Sequence, residues 1–358
     1  MTSVLHVQKV SGVSGSEGHL LSLLPLLREG GWDARMLVLH EGEAAVGEFV
    51  DRLRSAGVPV RTWRMRFDLS PTVPLRLFAG RLPTIVHTHL VHADVLALPA
   101  AALRRVPVRI STKHGFNPFR ANRVVSAVDR GAARLAHRQI AISHGLASYL
   151  VDTQGYPADA FTVVHYGIDA GPEPPPPTAP TRLLAVGRLI DIKGFDVLLR
   201  AFAAARREVP ELTLELVGAG PLEQSLRAAA PDGVTFLGRV SPVEPWYERN
   251  AVVVVPSRGE GFGLVALEAA ERGRAAIVSD VGGLPEIVDH GRTGLVVPTG
   301  DERALAESIV ALARDPERVH AMGRAARARA LGEFSAEATA AGVATIYRDE
   351  LQKRNVRP

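Results

Sequence analysis

The sequence predicts an α/β chain of two doubly wound domains, and three observations carry that prediction. Short apolar, β-branched runs alternate with amphipathic stretches along all 358 residues, the pattern of parallel sheets covered on both faces by helices. A proline-rich tract, Gly171–Pro180, divides the chain near its middle. The length is generous for one domain and comfortable for two. In the first half, strands are expected at Val4–Val10, Arg35–Leu39, Val58–Trp63, Ile85–Thr88, Val108–Thr112, Gln139–Ile142 and Phe161–His165, with helices such as His19–Arg28 and Ala93–Arg105 between them. In the second half, strands are expected at Leu183–Val186, Leu212–Val217, Val234–Leu237, Val252–Val255, Ala276–Ser279 and Leu295–Val297, with helices including Phe195–Arg207 and Arg303–Arg314. Six prolines in the ten residues 171–180 forbid a helix or a central strand and favour an extended connector. The expected organisation is an N-terminal domain at 1–170, a linker at 171–180, a second domain at 181–335 and a C-terminal helix within 336–358. Periodicity leaves open whether that helix packs on its own domain or crosses back to the first.

Composition narrows the chemistry. Hydrophobic residues make up 46% of the chain and cysteine is absent, so two cores form without disulfides, and thiolate metal sites and cysteine nucleophiles are excluded. The chain opens on strand-like Val4–Val10 rather than a basic, apolar leader. No apolar run reaches the roughly 18–20 residues that span a bilayer, and a cytoplasmic protein is expected. The net charge is +4 and unevenly placed: residues 1–170 hold 19 Lys/Arg against 13 Asp/Glu, and residues 171–358 hold 23 against 25. A basic half suits an anionic membrane surface or a phosphorylated acceptor as well as nucleic acid, and an arginine-rich composition gives the same excess. No nucleic-acid partner is expected.

The most informative segment is Ser257–Glu268, Ser-Arg-Gly-Glu-Gly-Phe-Gly-Leu-Val-Ala-Leu-Glu. It follows a buried-strand run, so Glu260 falls on a strand-to-helix loop and Glu268 about two turns into the next helix. Glycines there let amides and the positive helix end approach an anion, while carboxylates accept from hydroxyls; together these suit a sugar nucleotide. Gly187-Arg188-Leu189 ends the first strand of the second half, and Lys193-Gly194 opens its helix. Two cations on one loop suit a diphosphate, at about 1.5–3 kcal/mol per charge-assisted bond; two solvated loop cations are the plainer reading. Gly218-Ala-Gly-Pro221 is a second, weaker glycine turn. Ser11–Glu17 looks like a phosphate-cradling loop but lacks the Gly-x-Gly-x-x-Gly spacing of a dinucleotide site, which argues against a dehydrogenase. His87, His89 and His114 lie at strand ends; with no carboxylate at ligand spacing they are expected as polar cleft residues, not metal ligands.

In order and spacing, Val186-Gly-Arg-Leu189, Lys193-Gly194, Glu260-Gly-Phe-Gly263, Glu268, Gly282-Gly-Leu-Pro-Glu-Ile-Val288 and Gly294-Leu-Val-Val-Pro298 resemble the retaining glycosyltransferases of family 4. That resemblance covers most of the chain. It implies the GT-B fold, two Rossmann-like domains facing across a cleft, and sugar transfer from a nucleotide-diphosphate sugar to an acceptor hydroxyl of a glycolipid, polysaccharide or small molecule. It also implies that Arg188 and Lys193 hold the donor diphosphate, Glu268 the ribose and Glu260 a hydroxyl of the donor sugar. Amides around Gly261, Phe262, Gly263, Leu264 and Val265, with Gly187, would complete the donor contacts, and Arg239 and Val240 would lie near the base. His114 matches the family histidine beside the transferred sugar, and Gly15-Ser16 its glycine turn near the phosphate. Ser14 stands where the family often has a glycine, and His165 precedes Tyr166-Gly-Ile-Asp169 where asparagine is common. The implied chemistry retains configuration by front-face displacement, needs no metal or cofactor, and makes Glu260 a positioning group.

A sugar-nucleotide epimerase and a non-catalytic nucleotide-sugar-binding module are the competing readings. The acceptor is left undefined, as are the donor base and oligomeric state. Within Phe116–Arg138, Arg120, Arg123, Arg130, Arg134 and Arg138 interleave with Phe119, Val124, Val125, Val128 and Leu135. Helical spacing would separate much of the charge from the apolar side, giving either a peripheral contact with anionic lipid or a cleft-lining or solvated helix.

Overall fold

Four consecutive valines, Val252–Val255, form one strand with no exposed residue. The structure is a computed structural model describing residues 1–42, 46–65, 82–116, 123–176 and 179–356. It falls into two compact units, Met1–Asp169 with Ala336–Pro358, and Ala170–Ser335.

The first unit holds seven parallel strands: β1 (Ser3–Lys9), β2 (Asp33–His40), β3 (Val60–Arg64), β4 (Ile85–His89), β5 (Val108–Lys113), β6 (Arg138–Ala141) and β7 (Phe161–Val163). Their order is β3-β2-β1-β4-β5-β6-β7. Successive side chains leave opposite faces of a strand, so Val4 and Ile85 enter one core with Leu20, Leu24 and Phe49, while Val7 and Val86 enter another with Leu39 and Ala97. The C-terminal helix Ala336–Lys353 belongs to this unit, supplying Val343, Ala344, Ile346, Tyr347 and Leu351 to the first of those cores.

The same unit contains a buried ionic network that turns one helix over. Lys113 ends β5 with no exposed surface, and its Nζ donates to Asp94 Oδ2 at 2.6 Å and Asp129 Oδ1 at 3.1 Å. Ser111 also donates to Asp94, at 2.9 Å, and Tyr156 to Asp129, at 2.8 Å. Because Asp129 must face inward, the helix Arg123–Ala133 buries polar Ser126 and Asp129, while Val124 and Val128 are 71% and 47% exposed. A polar side of this helix thus faces inward, and the apolar Val124 and Val128 face outward. Arg130 points inward too, donating to Ser126 Oγ and Gln154 O; Arg138, on β6, pairs with Glu350 at 3.0 Å; and Arg134 is exposed. Phe119, Arg120 and the Arg123 side chain lie outside the described residues.

The second unit holds β8 (Arg182–Val186), β9 (Thr213–Val217), β10 (Val234–Gly238), β11 (Val252–Val255), β12 (Ala275–Ser279) and β13 (Gly294–Val297), all parallel, in the order β10-β9-β8-β11-β12-β13. Phe195, Leu198 and Phe202 of the helix Phe195–Glu208 pack with Leu305 and Ile309 of Glu302–Ala313 on one face. The first residues of the proline tract are pinned to this unit. Gly171 N donates to Glu271 at 2.9 Å, Arg327 to Gly171 O at 2.8 Å, and the buried Arg274 to Pro175 O at 2.9 Å. Pro177 and Thr178 lie outside the described residues.

Candidate functional site

In the second unit the chain leaves β8 toward β9 on one side, and leaves β11 toward β12 on the other. Ligands of doubly wound sheets settle outside the carboxyl ends of the strands where the order reverses. The predicted donor residues follow these two adjacent strands: Gly187, Arg188 and Lys193 after β8, and Glu260–Glu268 after β11. The loops are locked together. Arg258 N donates to Ile192 O at 2.8 Å, and its guanidinium reaches Asp191 O at 2.7 Å and Asp196 Oδ2 at 2.6 Å. Gly194 (φ 66) lies so close that a Cβ would sit 2.1 Å from Pro256 O, and at Gly282 (φ 58) one would sit 1.6 Å from Glu260 O. Only glycine fits either place. The result is a direct bond from Lys193 Nζ to Glu260 Oε2 at 2.6 Å, with Ser257 Oγ 3.4 Å from the same oxygen. Arg188 is exposed, and its side chain has no hydrogen bond or ion pair among the described residues. Arg258 was not among the predicted residues; as a clamp between two loops it leaves no mark in a one-dimensional pattern.

The helix after β11 starts at Leu264, so Glu268 stands little more than one turn into it, not two. Gly263 (φ 113) caps it, Gly261 and Phe262 are buried, and the amides of Leu264 and Val265 fall in the first turn, where intrahelical acceptors are missing. Tyr247 donates to Glu268 Oε2 at 2.6 Å. Arg239, exposed, and Val240 follow β10 at the edge of the sheet. Enclosure of the Glu268 carboxyl raises its pKa from 4.5 to about 6, against the opposing bond from Tyr247. A raised carboxyl pKa means the folded state holds the proton more tightly, so stability from this group is fullest below about pH 4.5 and is lost as pH rises through about 6. Glu268→Gln is thus expected to stabilise the protein relative to wild type by roughly 2 kcal/mol above pH 6, and by nothing near pH 4.5. Urea unfolding of both proteins across that range checks it; a pH-independent difference would refute it.

In the first unit, Ser14 caps the helix Gly15–Glu29, and Glu17 occupies the turn that was expected to approach phosphate. Its carboxylate accepts from Ser14 N at 3.1 Å, from the Ser14 hydroxyl, from Ser16 Oγ at 3.1 Å and from Gln8 Nε2 at 2.5 Å. Gly15 and Ser16 therefore open a helix whose N-terminus already holds a buried anion. His114 follows β5, as predicted, with both ring nitrogens engaged: Nε2 with His89 Nδ1 at 2.8 Å and Nδ1 with the Tyr166 hydroxyl. Burial, aided by His19 and Lys113, holds its pKa well below the usual imidazole range. His6, His87 and His89 bring ring nitrogens within 4.8 Å of one another, a spacing that suits a cation, yet each nitrogen already has a hydrogen-bond partner. His6 and Tyr347 were missed as neighbours of this cluster because neither carries a local motif, and the Tyr166-Gly-Ile-Asp169 motif gave no sign that Tyr166 meets His114.

Comparison with known proteins agrees with the two-part reading. The family described as Glycosyltransferase Family 4 matches residues 13–171, and Glycosyl transferases group 1 matches residues 180–315. The chain is 35% identical to a D-inositol 3-phosphate glycosyltransferase of Thermobispora bispora over 61% of its length and 57% of that relative's. It is 32% identical to a glycogen synthase of Mycobacterium tuberculosis over 74% of its length and 68% of that relative's. The solved structure of Anabaena Alr3699/HepE in complex with UDP and glucose superposes with a TM-score of 0.84 at 20% identity, covering 98% of this chain and all of that one. Two parallel, doubly wound sheets in that arrangement are the GT-B fold, and the chain belongs to the family 4, group 1 glycosyltransferases.

Proposed function

We propose that the protein transfers a hexose, with retention of configuration and without a metal, from a nucleotide-diphosphate sugar to an acceptor hydroxyl. The observation that carries this reading is the placement of Arg188, Lys193, Glu260 and Glu268 on the two loops flanking the sheet's switch point. Arg188 and Lys193 would bind the diphosphate and stabilise its charge on departure. Glu260 would accept from a sugar hydroxyl and Glu268 from the ribose, with the amides of Leu264 and Val265 near the anion. The leaving phosphate oxygen would take the acceptor proton, leaving no carboxylate to act as base. The glucose and UDP named for the HepE structure, and the glucan-building relative, support a hexose donor. The test is a screen of uridine, guanosine and adenosine diphosphate sugars by thermal shift and by hydrolysis in EDTA, with NMR of the released anomer. Retained anomer from one donor family is expected. An inverted anomer, activity abolished by EDTA, or epimerised nucleotide sugar would each overturn part of the reading.

The acceptor side is proposed to rest against an anionic membrane, with a lipid-linked acceptor. Support comes from Val124 and Val128, exposed one helical turn apart, with Arg134 also exposed near that helix end. Among the described residues no helix is long and apolar enough to cross a membrane. Co-sedimentation with phosphatidylglycerol vesicles at low salt is expected and should fall several-fold in Val128→Glu. Equal recovery with neutral vesicles, or with none, would remove the idea.

A further inference from the structure

We propose that His6, His89 and Tyr347 are positioning residues for sugar transfer, fixing the tautomer and ring plane of His114 through one unbranched hydrogen-bonded chain. The proposal rests on the reading above that His114 lies beside the transferred sugar.

The chain runs from Thr112 to Tyr166. Thr112 Oγ1 meets His87 Nε2 at 2.7 Å, and His87 Nδ1 meets the Tyr347 hydroxyl at 2.7 Å. That hydroxyl meets His6 Nε2 at 3.3 Å, and His6 Nδ1 meets His89 Nε2 at 3.0 Å. His89 Nδ1 meets His114 Nε2 at 2.8 Å, and His114 Nδ1 meets the Tyr166 hydroxyl. His6, His87, His89 and Tyr347 have no exposed surface, so water does not compete for the inner links.

A neutral imidazole has one N–H and one lone pair. A ring that donates on one side must therefore accept on the other, and the sense of donation passes unchanged from ring to ring. Tyr347 enforces the same rule across the gap between His87 and His6. Its single proton has those two rings as its hydrogen-bond partners, so it donates to one and accepts from the other. If it donates to His6 Nε2, then His6 Nδ1 donates to His89, His89 Nδ1 donates to His114 Nε2, and His114 Nδ1 carries the proton facing Tyr166. If it donates to His87, every assignment reverses and His114 Nδ1 presents a lone pair. Whether the outer nitrogen of His114 is a donor or an acceptor is thus coupled to the hydroxyl orientation of a residue of the C-terminal helix.

The rings are held as well as linked. His87 and His89 stack with centroids 4.4 Å apart, and His6 lies nearly parallel to His89 at 5.3 Å. Stacked rings aim their lone pairs along the planes rather than at a common point, which favours a chain over a metal centre. An imidazolium at His6, His87 or His89 would be cut off from water with only neutral hydrogen-bond partners. Burial accordingly lowers the pKa of His6 to about 3 and holds His87, His89 and His114 well below the usual range. The charged and titratable groups facing this end are His19, stacked on Tyr166 at 4.3 Å, Glu17 near Tyr166, and Lys113 with its two aspartates.

The experiment uses the full chain labelled with 15N-histidine, whose ring-nitrogen shifts report tautomer and charge. In wild type, His6, His89 and His114 are expected as single neutral tautomers that do not titrate between about pH 5.5 and 8. Tyr347→Phe removes one oxygen and breaks the coupling. His114 is expected to become a mixture of tautomers, and kcat with UDP-glucose, or whichever donor the screen finds, to fall about tenfold while donor KM stays within about twofold. His89→Gln, which cuts the chain one link from His114, is the second variant should Tyr347→Phe fold poorly. An unchanged His114 tautomer in a folded variant, or a changed tautomer with unchanged kcat, overturns the proposal. Absence of sugar transfer by wild type, with the tautomers coupled as described, instead overturns the functional reading on which it rests.

Discussion

Arg188→Ala is expected to lose most sugar transfer while unfolding at the wild-type urea midpoint. Its guanidinium is exposed and bonded to nothing among the described residues, and removing such a surface side chain changes stability by no more than about 0.5 kcal/mol. In transfer its charge would meet a diphosphate that becomes more anionic as the glycosidic bond breaks. Loss of one such group lowers kcat by about 10²–10³-fold, with a smaller change in KM because the ground state is less charged at that oxygen. Glu260→Gln should behave differently. It removes the negative charge paired with Lys193 at 2.6 Å and turns one of two acceptor oxygens into an amide donor, so kcat falls and nucleotide affinity rises as Lys193 is released to the diphosphate. Nucleotide release and titration calorimetry with the product nucleotide separate the two variants. Wild-type turnover in Arg188→Ala would dismiss its role at the leaving group.

Lys113→Met is expected to be the most damaging single change to the fold. Lys113 bonds the carboxylates of both Asp94 and Asp129, and all three side chains are buried. Breaking a buried pair by removing one partner costs about 3–5 kcal/mol, because buried charge loses its compensation; here one substitution breaks two pairs. Asp129→Asn should cost less, since Lys113 keeps Asp94 at 2.6 Å and Tyr156 still has an oxygen to donate to. Urea unfolding followed by tryptophan fluorescence measures both. A Lys113→Met midpoint equal to wild type would show that the aspartates find other partners.

The strands were legible because a parallel strand buried on both faces needs an unbroken apolar run, and Val252–Val255 or Ile85–Val86 admit no other use. The C-terminal helix, Ala336–Lys353, was legible within 336–358. Its neighbour Pro316–Glu333 was not, since its buried face is built of Val319, Met322, Gly323, Ala326 and Ala330 amid arginines and its apolar stripe is weak. The loops that carry Arg188, Lys193 and Glu260 were legible in their spacing as strand-to-helix turns. The histidine chain was not. His6 sits in mid-strand, Tyr347 lies 341 residues further on, and nothing local links them. Lys113 left no local mark for a related reason: a lysine at a strand end normally reaches solvent, and only a third dimension reveals two aspartates from separate helices beneath it.

The return of the last helix to the first unit has a consequence for how the molecule is made. Residues 170–335 form one continuous stretch and can close their core as soon as the ribosome has released them. The first unit emerges earlier but lacks Val343, Ile346 and Tyr347 from its core until the helix Ala336–Lys353 has emerged. The half of the chain translated first is therefore completed last, and for most of translation Leu20, Leu24 and Phe49 await a partner helix not yet synthesised.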